Sequence, residues 1–247
     1  MELGTARDTA RMTYSELIRT DELRTMQQEI PGASDSRFFV AAHQITELWF
    51  TVILHELDLA RAAIDTDDLT QACYRLNRVT RGEDVLVCHL RAVETISPAG
   101  FGQVRSRLGS SSAFESVQFR EIEFLSGLKD RRFTSIEKLT PAERQRLETR
   151  LAEPSLLDAF EALLARRGNP DLVKVVSTDA DPELRALIDA MLDHDHGFAR
   201  WRHEHALMAE RLIGYRPGTG GSMGVPYLQR TGAKRFYPRL WELRSAP

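Results

Sequence analysis

Seven histidines carry most of the chemical information in this 247-residue chain: His43, His55, His89, His194, His196, His203 and His205. The last four form two His-x-His pairs within one apolar-periodic stretch. At ~100° per residue of an α-helix, residues two apart point to nearly opposite sides, so the four cannot converge on one metal ion. Residues eleven apart return to within roughly 20°, which puts His194 and His205 on one face, and residues seven apart do the same for His196 and His203. A multi-histidine zinc or di-iron cluster on this helix is thereby disfavoured, and the repeated Glu-x-x-His of di-metal bundles is absent. One histidine per inward face remains, which suits axial ligation of a heme. Spacing alone does not select heme, because an isolated helical histidine is more often exposed or a hydrogen-bonded core residue.

Phe39, His43 and Glu47 recur every four residues and form one helical stripe. A ring beside an imidazole offers a flat wall and a neutral hydrogen-bonding group, as a planar heteroaromatic substrate requires. The competing reading is a buried His43 satisfied by Glu47. Arg120, flanked by Val117 and Phe124, can be drawn into the interior, where a bidentate carboxylate is its best partner. The competing reading is a structural ion pair with Glu123 or Glu121. Arg216-Pro217-Gly218-Thr219-Gly220-Gly221-Ser222 lets backbone N–H groups approach a small anion, but it lacks the Gly-Lys-Ser/Thr ending of a P-loop.

These residues need helices to position them, and the pattern is helical nearly throughout. Apolar periodicity predicts helices over about 37–64, 69–96, 114–125 and 182–213, the first capped by Asp35 or Ser36. Thr140-Pro141-Ala142-Glu143 reads as a capping box with proline at the first turn, and another helix begins at Pro154 and ends near Arg167-Gly168. Clusters of Gly and Pro at 31–32, 98–109, 168–170 and 214–226 read as the breaks between them. No period-two strand pattern and no repeat is visible, so the fold class expected is all-α, a single domain over 1–247.

Composition mainly excludes. Basic and acidic residues number 33 and 36, a formal charge of −3, which gives no global electrostatic case for nucleic acid or an anionic membrane. Apolar residues at 42% and charged residues at 28% suit a globular core rather than disorder. Cys73 and Cys88 cannot supply a disulfide scaffold or a four-thiolate zinc site. The apolar window 38–57 is broken by His43, Glu47, His55 and Glu56, too polar to span a bilayer, and no signal peptide is visible. The expected compartment is the cytoplasm.

Taken together, these segments resemble the tryptophan 2,3-dioxygenase family of heme enzymes. The residues that carry the resemblance are Phe39-x3-His43-Gln44-x2-Glu47-Leu48-Trp49, Leu108-Gly109 through Phe114 to Arg120-x2-Glu123, and Trp201-Arg202-x2-His205 through Arg211-x-Ile213-Gly214 to Gly218-Thr219-Gly220-Gly221. Thr13-Tyr14 with Asp21-x-Leu23, and Phe236-x-Pro238-x-Leu240-Trp241, extend it to both ends. It covers almost the whole chain in order.

The resemblance implies a helical bundle enclosing one heme b per subunit, O2 as co-substrate, and tryptophan or a close indole as substrate. It places His205 at the proximal iron ligand and His43 at the distal histidine that takes the indole N–H. Phe39 becomes a wall of the indole pocket, Arg120 the partner of the amino-acid carboxylate, and Thr219, next to Gly218, a further contact to the carboxylate or ammonium. Tyr14 would belong to an N-terminal segment, residues 1–30, that reaches a neighbouring subunit of a homo-oligomer, a tetramer or a dimer. The implied reaction is dioxygenation of the indole C2–C3 bond to N-formylkynurenine. The alternatives are a related monooxygenase that forms an oxindole, and a non-catalytic heme sensor. Several positions depart from the family pattern: Leu17 stands where many members have a second tyrosine, no tyrosine precedes Arg120 by one turn, Ser112-Ala113-Phe114-Glu115 replaces Ser-Gly-Phe-Gln, and the stretch from Arg167 to Trp201 is short.

Overall fold

The computed structural model describes residues 12–109, 115–178, 180–218 and 223–245, and among these no strand occurs. In chain order the helices are α1 (Tyr14–Ile18), α2 (Thr20–Thr25), α3 (Ser36–Asp65), α4 (Leu69–Val93), α5 (Pro98–Arg105), α6 (Val117–Ser126), α7 (Pro141–Ala152), α8 (Leu156–Arg166), α9 (Leu172–Ser177), α10 (Pro182–Ile213), α11 (Val225–Gly232) and α12 (Pro238–Glu242). Short 3-10 turns occupy Arg131–Ser135 and Leu243–Ser245. No described helix is long and apolar enough to cross a membrane.

The three long helices form the body, with α4 packed against both α3 and α10. Each buries an apolar stripe at helical spacing: Ile53, Leu57, Ala60 and Ile64 on α3, Leu69, Ala72, Leu76 and Val79 on α4, and Leu184, Leu187, Ile188 and Met191 on α10. Each fully buried Leu or Ile contributes about 1.5–3 kcal/mol by leaving water, so this seam dominates the stability of the body. Gly82 on α4 lets α3 approach, because a Cβ there would meet Ile53 and Trp49 side-chain carbons at 3.3 Å. Helices α6 and α8 pack on α3, and α11 packs on α10. A smaller apolar cluster of Val117, Phe124, Phe133, Leu139 and Leu147 lies between α6 and α7.

The Thr140 capping box is present: Thr140 Oγ1 accepts from the Glu143 amide at 3.2 Å, and Glu143 Oε2 accepts from the Thr140 amide at 2.8 Å. At the start of α3 the expected cap is not formed. Asp35 occupies the cap position without a side-chain hydrogen bond, and Ser36 Oγ instead accepts from the Ile30 amide at 2.8 Å. The glycine- and proline-rich stretches 98–109 and 214–226, read from sequence as breaks, contain helix α5 and the start of α11. Pro98 and Pro226 lie in the first turn, where the missing N–H is no loss. Helix α8 is capped by Ser155 and begins after Pro154 rather than at it. Phe114, expected to open the third predicted helix, lies outside the described residues, and α6 starts at Val117 under a Ser116 cap.

Candidate active site

A cavity of about 270 Å³ opens between α3, α6, α10 and α11. Spacing of three and four on α3 brings Phe39, His43, Glu47 and Phe50 to it, and the same spacing on α10 brings Trp201, Arg202, His205 and Met208. The first turn of α6 adds Ser116, Phe119 and Arg120, while Phe101 of α5 and Leu228 of α11 close apolar sides. Thus four of the residues singled out in the sequence, Phe39, His43, Arg120 and His205, share one cavity, with Gly218 on its wall. Thr219 lies outside the described residues. Tyr14 lies on α1, 74% exposed, and does not line the cavity.

The tautomer of His43 follows from its partner. Its Nδ1 sits 2.8 Å from the Phe39 carbonyl oxygen, which can only accept, so Nδ1 carries the proton and Nε2 keeps a lone pair. His43 is exposed by surface area, yet desolvation among its packed neighbours pulls its pKa below 6.5, against smaller raising effects of the Phe39 carbonyl and Glu47, so the neutral ring predominates at pH 7. The Phe39 ring lies against it, with centroids 4.1 Å apart. The alternative of a His43 satisfied by Glu47 does not hold. Glu47 accepts from Ser116 Oγ at 2.7 Å and from Gln118 Nε2 at 2.7 Å, which fastens the His43 helix to the positive N-terminal end of α6.

His205 stacks on Trp201, one turn earlier, with centroids 5.3 Å apart and planes 17° from parallel. It makes no hydrogen bond among the described residues, is half-buried, and lines the cavity. Burial lowers its pKa from 6.5 to about 4, with a further lowering effect of His43. A neutral imidazole with both nitrogens unengaged, facing an apolar cavity, has the electronic character of an axial metal ligand.

The other histidines separate cleanly. His194, on the same face of α10 as His205 but three turns away, is buried between Glu83 Oε1 at 2.7 Å and Ser126 Oγ at 2.9 Å. His89 Nε2 donates to the Ala42 carbonyl at 2.9 Å. His55, His196 and His203 are exposed. Among the described residues there is no group of three or more His, Cys, Asp or Glu that could hold a metal ion.

Arg120 is buried, and its Nη1 donates to Glu123 Oε2 at 2.7 Å, while its Cζ lies 3.7 Å from the Phe133 ring centroid. Glu121, the other carboxylate considered, pairs with Arg146 instead. The second oxygen of Glu123 takes Arg202 Nη2 at 2.7 Å. Arg202 was not singled out as a functional residue in the sequence, although its place three residues before His205 puts both on one face of α10. Tyr227 and Thr231 were missed for another reason: α11 hid behind glycine and proline.

A sequence profile described as "Tryptophan 2,3-dioxygenase" matches residues 3–178 and 172–246, which together span nearly all of the chain. The chain belongs to the tryptophan 2,3-dioxygenase family. The seam between the two matched stretches falls inside the segment 167–201, noted above as short. A tryptophan 2,3-dioxygenase of a Nocardioides species is 40% identical over 253 residues, covering 96% of this chain and 95% of that protein. Those of Caulobacter vibrioides and a Bradyrhizobium species are 36% and 34% identical, each over 95% of this chain and covering 98% and 92% of the respective relatives.

The family is heme-dependent, and the cavity's residues fit that group. The fit rests on His205, neutral and without a hydrogen-bond partner, among apolar walls that include Leu90, Val93, Met208 and Leu212.

Proposed function

We propose that this chain is a heme-dependent oxygenase that cleaves the indole C2–C3 bond of L-tryptophan, using O2 and giving N-formylkynurenine. The observation that carries the reading is the meeting of three chemically distinct groups in one apolar cavity. These are an unpartnered neutral imidazole at His205, an acceptor nitrogen at His43, and a guanidinium at Arg120. His205 would hold the iron of one heme b. When bound, the heme supplies the metal centre at which O2 is activated toward the indole ring.

The chain's own residues do the positioning. His43 Nε2 accepts the indole N–H, while Phe39 and Phe101 wall the ring. Arg120 receives the amino-acid carboxylate, and the resemblance adds Gly218 and Thr219 as further contacts to it. The apolar lining excludes water, which strengthens each of these polar contacts. Helices α1 and α2 and the residue that follows them expose Tyr14, Leu17, Leu23 and Met26, and residues 1–30 would cover the cavity of a second copy in a homo-oligomer. Mass measurement in solution with and without residues 1–25 tests that part.

The site is tested by reconstituting the full chain with heme and recording the Soret band of wild type, His205→Ala and Arg120→Leu. The expected result is loss of native ligation only in His205→Ala, and weakened L-tryptophan binding only in Arg120→Leu among heme-loaded proteins. Unchanged ligation in His205→Ala would overturn the assignment of the iron ligand. Heme uptake with no indole turnover under reductant and O2 would leave a heme sensor instead of an enzyme.

A further inference from the structure

The groups assigned to the two ends of the substrate sit on different helices, His43 on α3 and Arg120 on α6. The span between them is only as fixed as the contact between those helices. Part of that contact is apolar: the Phe119 ring lies 6.2 Å from Phe50 of α3, centroid to centroid, and 5.5 and 5.7 Å from Phe198 and Trp201 of α10. Apolar attraction is non-directional and follows the area buried, so it holds α6 on α3 without choosing one register along it. Hydrogen bonds, which need their donors and acceptors aligned, do choose.

One side chain makes the choice. Gln118 Nε2 donates to Glu47 Oε2 at 2.7 Å and to the Glu47 carbonyl at 3.0 Å, while its Oε1 accepts from Thr51 Oγ1 at 2.8 Å. The amide thus spans one turn of α3, with its donor end at Glu47 and its acceptor end at Thr51. Ser116 Oγ, two residues earlier, donates to Glu47 Oε1 at 2.7 Å. Sliding α6 by one residue would present Val117 or Phe119 to Glu47 and Thr51, and neither side chain can donate or accept. His43 stands one turn before Glu47, and Arg120 two residues after Gln118. Gln118 itself is not among the residues that line the cavity, so its influence on a substrate must pass through those that do.

We propose that Gln118 is a positioning and specificity residue: by pinning the register of α6 on α3, it fixes the span between the acceptor nitrogen of His43 and the guanidinium of Arg120. The site then selects an indole whose carboxylate stands at one set distance from the ring nitrogen. The inference rests on the reading of His43 and Arg120 given above and deepens it. The site measures the separation of the two ends of the substrate as well as recognising each.

Equilibrium dialysis against the heme-loaded full chain compares three ligands: L-tryptophan, its homologue with one more side-chain methylene, and 3-methylindole, which has the ring but no carboxylate. Gln118→Leu keeps the bulk and removes all three bonds of the amide. It is expected to weaken L-tryptophan about fivefold or more, the homologue by less than about half that factor, and 3-methylindole by less than about twofold. Gln118→Glu sets a second carboxylate against Glu47 and is expected to weaken L-tryptophan at least as much. Adding Glu47→Gln to it restores a donor and an acceptor across the two helices, and is expected to regain about threefold or more. Thr140→Ala removes a cap on α7 away from the cavity and is expected to leave all three affinities within about twofold of wild type. Melting temperature and heme stoichiometry are recorded for every variant.

A merely structural role predicts equal weakening of the three ligands in Gln118→Leu and no regain from Glu47→Gln in the Gln118→Glu chain. Either result would overturn the proposal, as would unchanged L-tryptophan affinity in Gln118→Leu or the same selective loss in Thr140→Ala. If Gln118→Leu does not fold, Gln118→Glu with and without Glu47→Gln decides it. Arg120→Gln separates the two readings. If it leaves L-tryptophan affinity unchanged, the role of Arg120 falls; if it weakens L-tryptophan while Gln118→Leu does not, only the role of Gln118 falls.

Discussion

Replacing His43 by leucine removes one lone pair beside the Phe39 ring on the α3 wall of the cavity, and the consequence can be worked through. The Phe39 carbonyl that receives Nδ1–H at 2.8 Å belongs to the preceding turn of α3 and keeps its helical bond, so the variant loses little there. The loss falls on the substrate. An indole N–H pressed against leucine in a water-poor cavity has no acceptor, and a buried unsatisfied donor costs about 1–3 kcal/mol, or about five- to 150-fold in binding. Methylating the indole nitrogen removes that donor. Binding of L-tryptophan and its N1-methyl derivative to heme-loaded wild type and His43→Leu, measured by equilibrium dialysis, forms a cycle. L-Tryptophan is expected to weaken by the factor above, while the methyl derivative binds the variant as well as or better than it binds wild type. Desolvation holds the His43 pKa below 6.5, so wild-type affinity for L-tryptophan is expected to fall on acidification with a midpoint below pH 6.5. There a proton on Nε2 turns the acceptor into a donor. Equal weakening of both ligands would refute the acceptor role and leave His43 as packing.

Other consequences concern the scaffold. Gly197→Ala would drive a Cβ into the Glu83 carboxylate and disturb its bond to His194, so chemical denaturation is expected to show a loss of about 2–4 kcal/mol. Burial raises the Glu83 pKa above 4.5, so the unfolded chain releases that proton before the folded one does, and this group's stability contribution is lost as pH rises from about 4.5 through the folded value. The stability of Glu83→Gln relative to wild type should therefore grow as pH rises above about 4.5 in urea titrations, and a constant difference would contradict it. Ser116→Ala removes the α6 cap, where Ser116 Oγ accepts from the Phe119 amide at 3.2 Å, and one donor to Glu47. It is expected to cost about 1 kcal/mol in melting experiments and to lower affinity for L-tryptophan through the Arg120 helix, an effect Thr140→Ala should not share.

Much of this molecule could be read from its residues. The body was legible because α3, α4 and α10 repeat apolar residues at helical spacing over many turns, and no competing pattern exists over such lengths. The site residues were legible as separate islands, Phe39 with His43, Arg120, and His205, because each keeps a recognisable neighbourhood of its own. Their meeting was not legible from spacing, since it depends on how α6 docks on α3 and α10. Glu47 shows why. Four residues after His43, it is the local candidate for the imidazole's partner, yet the N-terminus of α6 arrives with Ser116 and Gln118 and takes it. Arg202 shows the same thing in reverse: its partner Glu123 is 79 residues away, so the pairing appears only when two helices share one carboxylate. Helices α5 and α11 were hidden by proline and glycine, because proline in a first turn and proline in a loop look alike in one sequence.

The central claim is the reaction, and the oxygen count of the product tests it most directly. Heme-loaded protein, reduced and given L-tryptophan with isotope-labelled O2, is predicted to yield a product heavier than tryptophan by two labelled oxygen atoms, and His205→Ala to yield none. A product carrying one labelled oxygen would contradict the claim and make the enzyme a monooxygenase on the same scaffold.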